Sequence, residues 1–327
     1  MTAPPTLIRP PLRDYRAFAY DSRHWEHYRP RADDIVIATY PKCGTTWTQR
    51  LVSMLVFQSA APRPLSEVSP WLDRRLGPGA EQVLTQLETQ THRRFIKSHL
   101  PLDALPLYDG IKYVHVARDG RDACLSFLNH SAKFTPAALE DMDRIGLGDP
   151  MIGFAYPRVD GNFRPFYLDW INEAPWGKTR CPLSPLNFFR FEKSFWDERG
   201  RDNVLLVHYA DLKADLAGEM RRLAAFLEIS IPEALWPELI AAGSFGAMQR
   251  DGDSLMPEAA RAWEGGARTF LHKGEVGRWR GALRDDDVRL YEDKARRELP
   301  EACARWLERG RLNAGIEQEN TQGTHTK

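Results

Sequence analysis

The sequence has no excess of charge of either sign. Across its 327 residues, 45 Lys and Arg residues balance 45 Asp and Glu residues. Proteins that coat nucleic acid or bind anionic membrane surfaces normally carry a basic excess. We therefore expect neither kind of partner, and any polyanionic ligand must be held by a local cluster of cations.

Cysteine is scarce, with four residues that lie far apart, and long apolar runs are missing. The absence of a Cys-x-x-Cys pair argues against a zinc site or a disulfide framework and is ordinary for a reducing cytosol. The N-terminal residues have no apolar core typical of a secretory signal. The longest apolar stretch, around Leu51–Phe57, is far shorter than the roughly 20 residues of a membrane-spanning helix. We expect a cytoplasmic protein without membrane insertion.

Short apolar runs typical of buried parallel strands alternate with helical patterns along the chain. The runs fall at 33–40, around 95–96, at 111–117 and at 203–209, and the last is followed by an amphipathic helix over 212–228. This alternation predicts an α/β fold: a single domain with a central parallel sheet covered by helices on both faces. Ligands of such sheets bind at the carboxyl ends of the strands. Those ends carry Lys42, Lys97–His99, Arg118 and Tyr209.

Two irregular segments, 131–185 and 251–283, interrupt this pattern and are long enough to be covers over a binding site. We expect residues 1–30 to form an extension that packs on the domain, residues 31–312 to form the domain itself, and the polar residues 313–327 to be a disordered tail.

The most informative segment is TYPKCGTTW at 39–47. Here a strand leads through a Gly-containing loop into the start of a helix. This geometry directs backbone N–H groups and hydroxyls at one point, and Lys42 adds a full positive charge. These features suit a phosphate-type anion. The nucleotide-triphosphatase signature G-x-x-x-x-G-K-[ST] is nevertheless absent. The alternative is a plain strand–turn–helix connection with a Thr cap.

This loop resembles the phosphosulfate-binding loop of the cytosolic sulfotransferase family, usually written T-Y-P-K-S-G-T-T-W. The resemblance spans roughly residues 30–309. The segments that support it in order are IKSHLPLDALP, VHVARDGRDACLSF, VLLVHYADLK, SFGAM and TFLHKGEVGRWR. It implies a sulfotransferase fold similar to that of P-loop nucleotide kinases. It also implies transfer of a sulfuryl group from 3′-phosphoadenosine 5′-phosphosulfate (PAPS) to an acceptor hydroxyl or amine.

The same resemblance implies roles for individual residues. His99 would be the general base, Lys42 would neutralise charge on the departing oxygen, and Lys97 would stabilise the sulfuryl oxygens. Charge stabilisation of this kind needs no metal ion. The cofactor-binding residues implied are Lys42, Cys43, Gly44, Thr45, Thr46, Trp47, Arg118, Ser126, Tyr209, Ser244, Phe245, Met248, His272, Lys273 and Gly274, with Arg118 and Ser126 on the 3′-phosphate.

Ordinary structural roles compete with several of these. Trp47, Tyr209 and the Ser244–Met248 group also suit core packing, and Arg118 also suits a salt bridge to Asp119 or Asp122. We expect Arg121 to be solvated.

The sequence departs from the family pattern at several positions. Cys43 replaces the usual serine, and a thiol is a weaker hydrogen-bond donor than a hydroxyl. His272 replaces an arginine before Lys-Gly, so 3′-phosphate binding would be weaker or pH-dependent. The usual Gly-Asp-Trp is here Gly277-Arg278-Trp279. The Lys…Thr-Val…Glu dimer segment of animal members is absent, so the resemblance does not imply dimerisation by that route.

Two other functions stay open from the residues: a Mg²⁺-dependent nucleoside or small-molecule kinase, and a non-catalytic nucleotide-binding protein. A kinase would need a Walker-type loop and an acid for Mg²⁺, and neither is clear. The acceptor is a small molecule that could be a carbohydrate, steroid, phenol, lipid or peptide. Aromatic residues that could line an apolar or phenolic acceptor pocket are Phe18, Phe127, Phe134, Phe154 and Tyr156.

Overall fold

The structure, a computed structural model, describes residues 4–315 except 78, 176 and 184. The final residues 316–327, where we expect a disordered tail, lie outside the described part. Residues 313 and 314, at the start of the predicted tail, belong to the last helix.

A four-stranded parallel sheet forms the centre of the molecule, with the strand order β3-β2-β5-β6. A separate antiparallel pair joins β1, near the N-terminus, to β4. The strands are β1 Leu7–Arg9, β2 Ile35–Ala38, β3 Phe95–Ser98, β4 Leu107–Tyr108, β5 Lys112–Ala117 and β6 Val204–His208.

The register of the sheet brings the site segments to one edge. Ala38, the last residue of β2, pairs with Ser98 and His115, so the strands end nearly level. Alternate residues pack into two different cores: Val36 lies in the core on one face and Ile37 in the core on the other. Burial of both faces confirms the predicted parallel sheet with helices on each side.

The helices cover these two faces and the carboxyl edge. They are α1 Thr45–Phe57, α2 Leu65–Val68, α3 Ala80–Thr89, α4 Gly120–Ser131, α5 Pro136–Gly148, α6 Phe163–Ile171, α7 Phe188–Trp196, α8 Tyr209–Ala214, α9 Leu216–Phe226, α10 Trp236–Gly243, α11 Phe245–Arg250, α12 Gly252–Leu255, α13 Ala259–Ala262, α14 Gly266–Phe270, α15 Asp285–Glu298 and α16 Glu301–Ala314. Short 3₁₀ helices occupy Ser22–His27, Leu102–Ala104 and Glu233–Leu235. Within the described ranges, none of the helices has the length and apolar character needed to span a bilayer.

Two boundaries differ from the sequence prediction. The helix expected over 212–228 is divided into α8 and α9 at Asp215. The backbone of Asp215 is not helical, and its side chain caps α9 by accepting a hydrogen bond from the Gly218 N–H at 2.8 Å. Tyr209 does not end a strand, because it is the first residue of α8. Local capping by Asp therefore overrides the continuous helical period.

The two predicted covers are more regular than expected. Segment 131–185 contains α5 and α6, and α5 begins in the usual way with Thr135 as N-cap and Pro136 in the first turn. Segment 251–283 contains the short helices α12, α13 and α14. The helices α12, α13 and α14 have only four or five residues each, which is too short for a clear apolar period.

Candidate functional site

The loop between β2 and α1 makes a tight turn at the carboxyl edge of the sheet. Lys42 and Gly44 have positive φ angles of 69° and 121°. The φ angle of Gly44 strongly favours glycine, and a Cβ atom there would also make tight contacts, 3.1 Å from Tyr209 and 3.4 Å from Val116. No side chain caps α1. The backbone N–H groups of its first turn therefore remain available to an anion.

The side chains of the loop divide into two groups. The Thr45 hydroxyl hydrogen-bonds the Thr39 hydroxyl, and both residues are buried. Cys43 is fully buried in the core, and burial raises the pKa of its thiol well above the usual value. Lys42 and Thr46 are the loop side chains that remain partly exposed. Cys43 thus contributes its backbone and not a side-chain donor to the site.

Lys42 carries its ammonium group into an aromatic environment. Its Nζ lies 3.3 Å from His130 Nδ1 and 4.0 Å from the centre of the Phe270 ring. Burial, followed by the charges of Lys97 and Arg118, lowers its pKa to about 7. A lysine held near neutrality in this way gains the most when an anion arrives.

Lys97, near the end of β3, is the second cation of this edge. Its Nζ lies 4.3 Å from the centre of the Trp71 ring. Burial and the nearby charge of Arg74 lower its pKa to about 8. The two lysines lie close enough for Lys97 to lower the pKa of Lys42.

His99, just past the end of β3, has a defined tautomer. Its Nδ1 lies 2.9 Å from the carbonyl oxygen of Thr39, and its backbone N–H donates to Asp73 at 3.1 Å. Because a carbonyl oxygen can only accept, Nδ1 carries the proton and Nε2 holds the free lone pair. Burial, and then the charges of Lys97 and Lys42, lower its pKa well below 6.5. The His99 imidazole is therefore neutral at neutral pH, with an unprotonated Nε2.

Arg118, directly after β5, is held by the segment that covers it. Its guanidinium donates to the carbonyl oxygens of Glu275 at 2.6 Å and Lys42 at 3.5 Å, and it lies 4.4 Å from the centre of the Tyr209 ring. Asp122 is 3.6 Å away, which is the salt bridge considered as an alternative. The Nε atom is buried and has no acceptor among the described residues. Such an unsatisfied donor is expected where an anionic ligand binds.

The first turn of α4 holds the 275–279 segment in place. Asp122 accepts hydrogen bonds from the N–H groups of Gly277 at 2.6 Å and Trp279 at 3.2 Å. Asp119 accepts from the Trp279 indole at 3.1 Å and pairs with Arg121 at 2.8 Å. The prediction that Arg121 is solvated is wrong, since its side chain is 1% exposed. The sequence analysis did not predict that Asp119 and Asp122 hold this segment, although two acids at the start of a helix could have indicated it.

The residues expected near adenine include an aromatic group. The Trp47 indole donates to the Gly243 carbonyl at 2.7 Å, and its ring makes edge contacts with Tyr209 and Phe245 at 5.4 and 5.9 Å. Trp47 and Tyr209 are buried, whereas Phe245 is partly exposed. Phe245 is thus the partly exposed ring of this group.

Two other residues predicted to bind the donor, Met248 and Ser244, instead pack in a core or cap a helix. Met248 is completely buried in a core, and the Ser244 hydroxyl donates to the Ala241 carbonyl at 2.8 Å while capping α11. Ser126 lies in the second turn of α4 and is half-buried.

The Lys-Gly segment lies beside Phe245. Gly274 has a φ of 64°, and a Cβ there would lie 2.3 Å from Phe245. His272 and Lys273 are exposed. Partial desolvation of this exposed side chain, and then the charges of Arg278 and Lys273, lower the pKa of His272. His272 is therefore less charged at neutral pH than the arginine usual at this position.

The proposed acceptor aromatics form a connected wall. Phe18 packs edge-on against Tyr156 at 5.1 Å and Phe154 at 5.6 Å, and Phe134 packs against Tyr156 at 5.9 Å. Phe18 and Tyr156 are buried, while Phe134 and Phe154 are partly exposed.

Three residues that the sequence reasoning missed join this wall to Lys42. His130 lies 4.9 Å from Trp263 and 5.5 Å from Phe270, ring centre to ring centre. The predicted residue Phe127 stacks on the other side of His130 at 5.6 Å. The indole Nε1 of Trp263 is buried without an acceptor among the described residues. In the ranges that the structure describes, no three His, Cys, Asp or Glu side chains gather as a metal site.

Comparisons with known proteins agree with this arrangement. The sulfotransferase domain family matches residues 32–301. The chain is 35% identical over 315 residues to a glycolipid sulfotransferase of Mycobacterium bovis (strain BCG / Pasteur 1173P2), covering 91% of this chain and 94% of the relative. It is 25% identical over 279 residues to sulfotransferase 1E1 of Bos taurus, covering 81% and 83%.

A solved structure has the same fold. Retinol dehydratase, in complex with androsterone and the inactive cofactor PAP, aligns with a TM-score of 0.65 at 22% identity, covering 85% of this chain and 84% of that chain. The match of the family to most of the chain and the identity to a full-length relative place this chain in the sulfotransferase family. Its α/β fold with a central parallel sheet agrees with that assignment.

Proposed function

We propose that this sulfotransferase takes its sulfuryl group from PAPS and transfers it to a hydroxyl group of an amphiphilic small molecule, with His99 as the general base. The proposal is supported mainly by one observation: Lys42, Lys97 and neutral His99 lie close together at the carboxyl edge of the sheet. Two cations and one neutral base are what in-line transfer of an anionic group requires.

The donor half of the proposal rests on groups whose hydrogen-bonding capacity or charge is not balanced by an acid or an acceptor among the described residues. The uncapped start of α1, the lowered pKa of Lys42 and the unsatisfied Nε of Arg118 all favour an anion between the loop and β5. Lys42 and the loop amides would hold the phosphosulfate, and Arg118 with Lys273 would hold the 3′-phosphate. Phe245 would face adenine. A solved relative with PAP bound supports the same choice of nucleotide.

The chemistry follows from the tautomer of His99. Its Nε2 takes the proton of the acceptor hydroxyl while that oxygen forms a bond to sulfur. The bond between sulfur and the phosphate oxygen breaks, and Lys42 neutralises the negative charge that this oxygen gains. Lys97 stabilises the sulfuryl oxygens. The products are a sulfate ester, adenosine 3′,5′-bisphosphate (PAP) and one proton, and the proposed route uses no metal ion.

The acceptor class rests on the aromatic wall and on a relative. Aromatic faces bind apolar rings, acyl chains and the CH faces of sugars. The unsatisfied Trp263 N–H supplies one polar contact within this wall. A glycolipid has both kinds of surface, and a relative at 35% identity is a glycolipid sulfotransferase. We propose a glycolipid or a similar amphiphile.

Thermal unfolding with nucleotides tests the donor. PAP at 100 times its dissociation constant should stabilise the protein by about 2.7 kcal/mol, whereas AMP should do much less. Arg118→Ala should abolish the difference between PAP and AMP. The control is Arg144→Ala, which removes an arginine that is 74% exposed. Stabilisation by ATP with Mg²⁺ but not by PAP would contradict the proposal and favour the kinase alternative.

Radiolabelled sulfate transfer to a panel of glycolipids, sterols, phenols and free sugars tests the acceptor. We expect transfer to glycolipids, unaffected by EDTA, and a loss of at least a hundredfold in kcat for His99→Ala. Transfer to free sugars alone would contradict the role of the aromatic wall. Full activity of His99→Ala would contradict the proposed base.

A further inference from the structure

The Lys42 ammonium has a neutral partner. His130 lies in the last turn of α4, and its Nδ1 is 3.3 Å from Lys42 Nζ. A charged ammonium can only donate, so with Lys42 in its charged form Nδ1 is the acceptor and the imidazole proton sits on Nε2. Within the described part of the chain, this imidazole is the side chain that accepts a hydrogen bond from Lys42.

The surroundings keep the His130 ring in place and uncharged. Four aromatic rings enclose it: Phe127 at 5.6 Å, Phe134 at 5.0 Å, Trp263 at 4.9 Å and Phe270 at 5.5 Å, between ring centres. Rings packed on several sides restrict its rotation.

The titratable groups that face His130 are Lys42, Lys97 and His99. After burial, these groups lower its pKa well below 6.5. A carboxylate beside the ring would raise the pKa of His130, but no carboxylate of the described residues contributes to this shift.

A neutral acceptor suits an anion site better than the alternatives. A carboxylate in place of His130 would cancel the charge of Lys42 and repel an anionic donor. An apolar side chain would leave the ammonium without a partner in a partly buried place. The imidazole fixes the direction of the ammonium and leaves its charge available.

We propose that His130 is a positioning residue for Lys42, which holds the ammonium at the junction of the phosphate loop and the aromatic wall. This inference rests on the proposed function. His130 acts through Lys42 in the transfer step and takes no proton from the acceptor. Because its ring also contacts Phe134 of the aromatic wall, His130 connects the proposed acceptor pocket with the lysine.

Three variants separate this role from a merely structural one. His130→Phe keeps an aromatic ring but removes the acceptor atom. His130→Asn removes the ring but can place an amide oxygen near the position of Nδ1. Phe134→Leu is the matched control, since it removes a ring that contacts His130 and leaves the hydrogen bond in place. Kinetics are measured twice for each variant, once with PAPS varied at saturating acceptor and once with acceptor varied at saturating PAPS.

We expect His130→Phe to lower kcat at least tenfold, the effect of losing a hydrogen bond to a charged group. Loss of the acceptor also disfavours charged Lys42, so the alkaline limb of kcat/KM for PAPS should move about one pH unit lower. His130→Asn should restore most of kcat and the position of the limb. Phe134→Leu should change the acceptor KM and leave the limb in place.

Equal losses in the Phe and Asn variants with an unmoved limb would show that only the ring matters and would overturn the inference. Wild-type behaviour of His130→Phe would do the same. If His130→Phe fails to fold, His130→Leu takes its place against the Asn variant. Wild-type protein that binds no PAP and transfers no sulfate would instead refute the proposed function, so the two failures are distinguishable.

Discussion

Lys42 holds a positive charge in a place that is unfavourable for it, and we expect this charge to destabilise the free protein. Burial and the charges of Lys97 and Arg118 lower its pKa from 10.5 to about 7. Lys42→Met removes the charge and keeps a flexible side chain of similar length. The variant should therefore be more stable than the wild type in the absence of ligand, although it loses turnover.

The pKa gives an upper limit for this effect. A fall from 10.5 to about 7 corresponds to at most about 5 kcal/mol between the charged and neutral forms of the lysine. The side chain is half-buried, so solvent reduces the cost, and we expect a net gain of about 1–3 kcal/mol for Lys42→Met. With about 2.1 cal/mol/K of unfolding entropy per residue, this is a rise of roughly 2–4 °C in Tm.

The pH dependence identifies the cause. Below pH 7 the folded protein bears the whole cost of charging Lys42. As pH rises from 7 towards 10.5, the folded state has already released this proton while the unfolded state still holds it, so the cost shrinks. The Tm advantage of Lys42→Met should be largest at pH 6 and clearly smaller at pH 9.

Scanning fluorimetry across pH 6–9 measures this advantage, with Lys178→Met as the control because Lys178 is exposed. The control should show no trend with pH. With saturating PAP the order should reverse, because the wild type gains more from the ligand than Lys42→Met does. A variant that is less stable than the wild type at pH 6, or an advantage that does not change with pH, would refute the reasoning.

Three further predictions follow from the site. The value of kcat/KM for PAPS should fall about tenfold per pH unit above pH 7, and more steeply above pH 8, as Lys42 and then Lys97 lose their protons in initial-rate assays. Asp122→Ala frees the 275–279 segment and should raise the Kd for PAP about tenfold in calorimetric titrations. Gly274→Ala, with a Cβ 2.3 Å from Phe245 and a φ of 64°, should weaken PAP binding without loss of folding.

Each of these has an outcome that would contradict it. Rates that stay flat from pH 6 to 9 would show that neither lysine loses its proton in this range. Asp286→Ala, at an exposed ion pair, is the control for Asp122→Ala, and equal PAP affinities in the two would deny the fastening role. Gly274→Ala combined with Phe245→Ala should regain part of the affinity, and no recovery would mean that the contact with Phe245 is not the cause.

The sequence alone determined the parts of this protein that depend on local order. The strand before Lys42, the helix after Gly44 and the parallel sheet follow from apolar periods and from a loop whose glycine has a conformational reason. The order of five motifs was enough to predict the sulfotransferase family. The roles of His99, Lys42 and Lys97, the 31–312 domain and the cytoplasmic location remain predictions.

Tertiary structure decided what each polar group contacts, because those contacts join residues far apart in the chain. Arg121 was predicted to be solvated, yet Trp279 and Asp119 bury it from two directions. His130 showed no motif in the sequence, and its meaning comes from Lys42, 88 positions away. Periodicity specifies which face of an element is apolar, whereas the partner of a buried charge is fixed only when the elements pack.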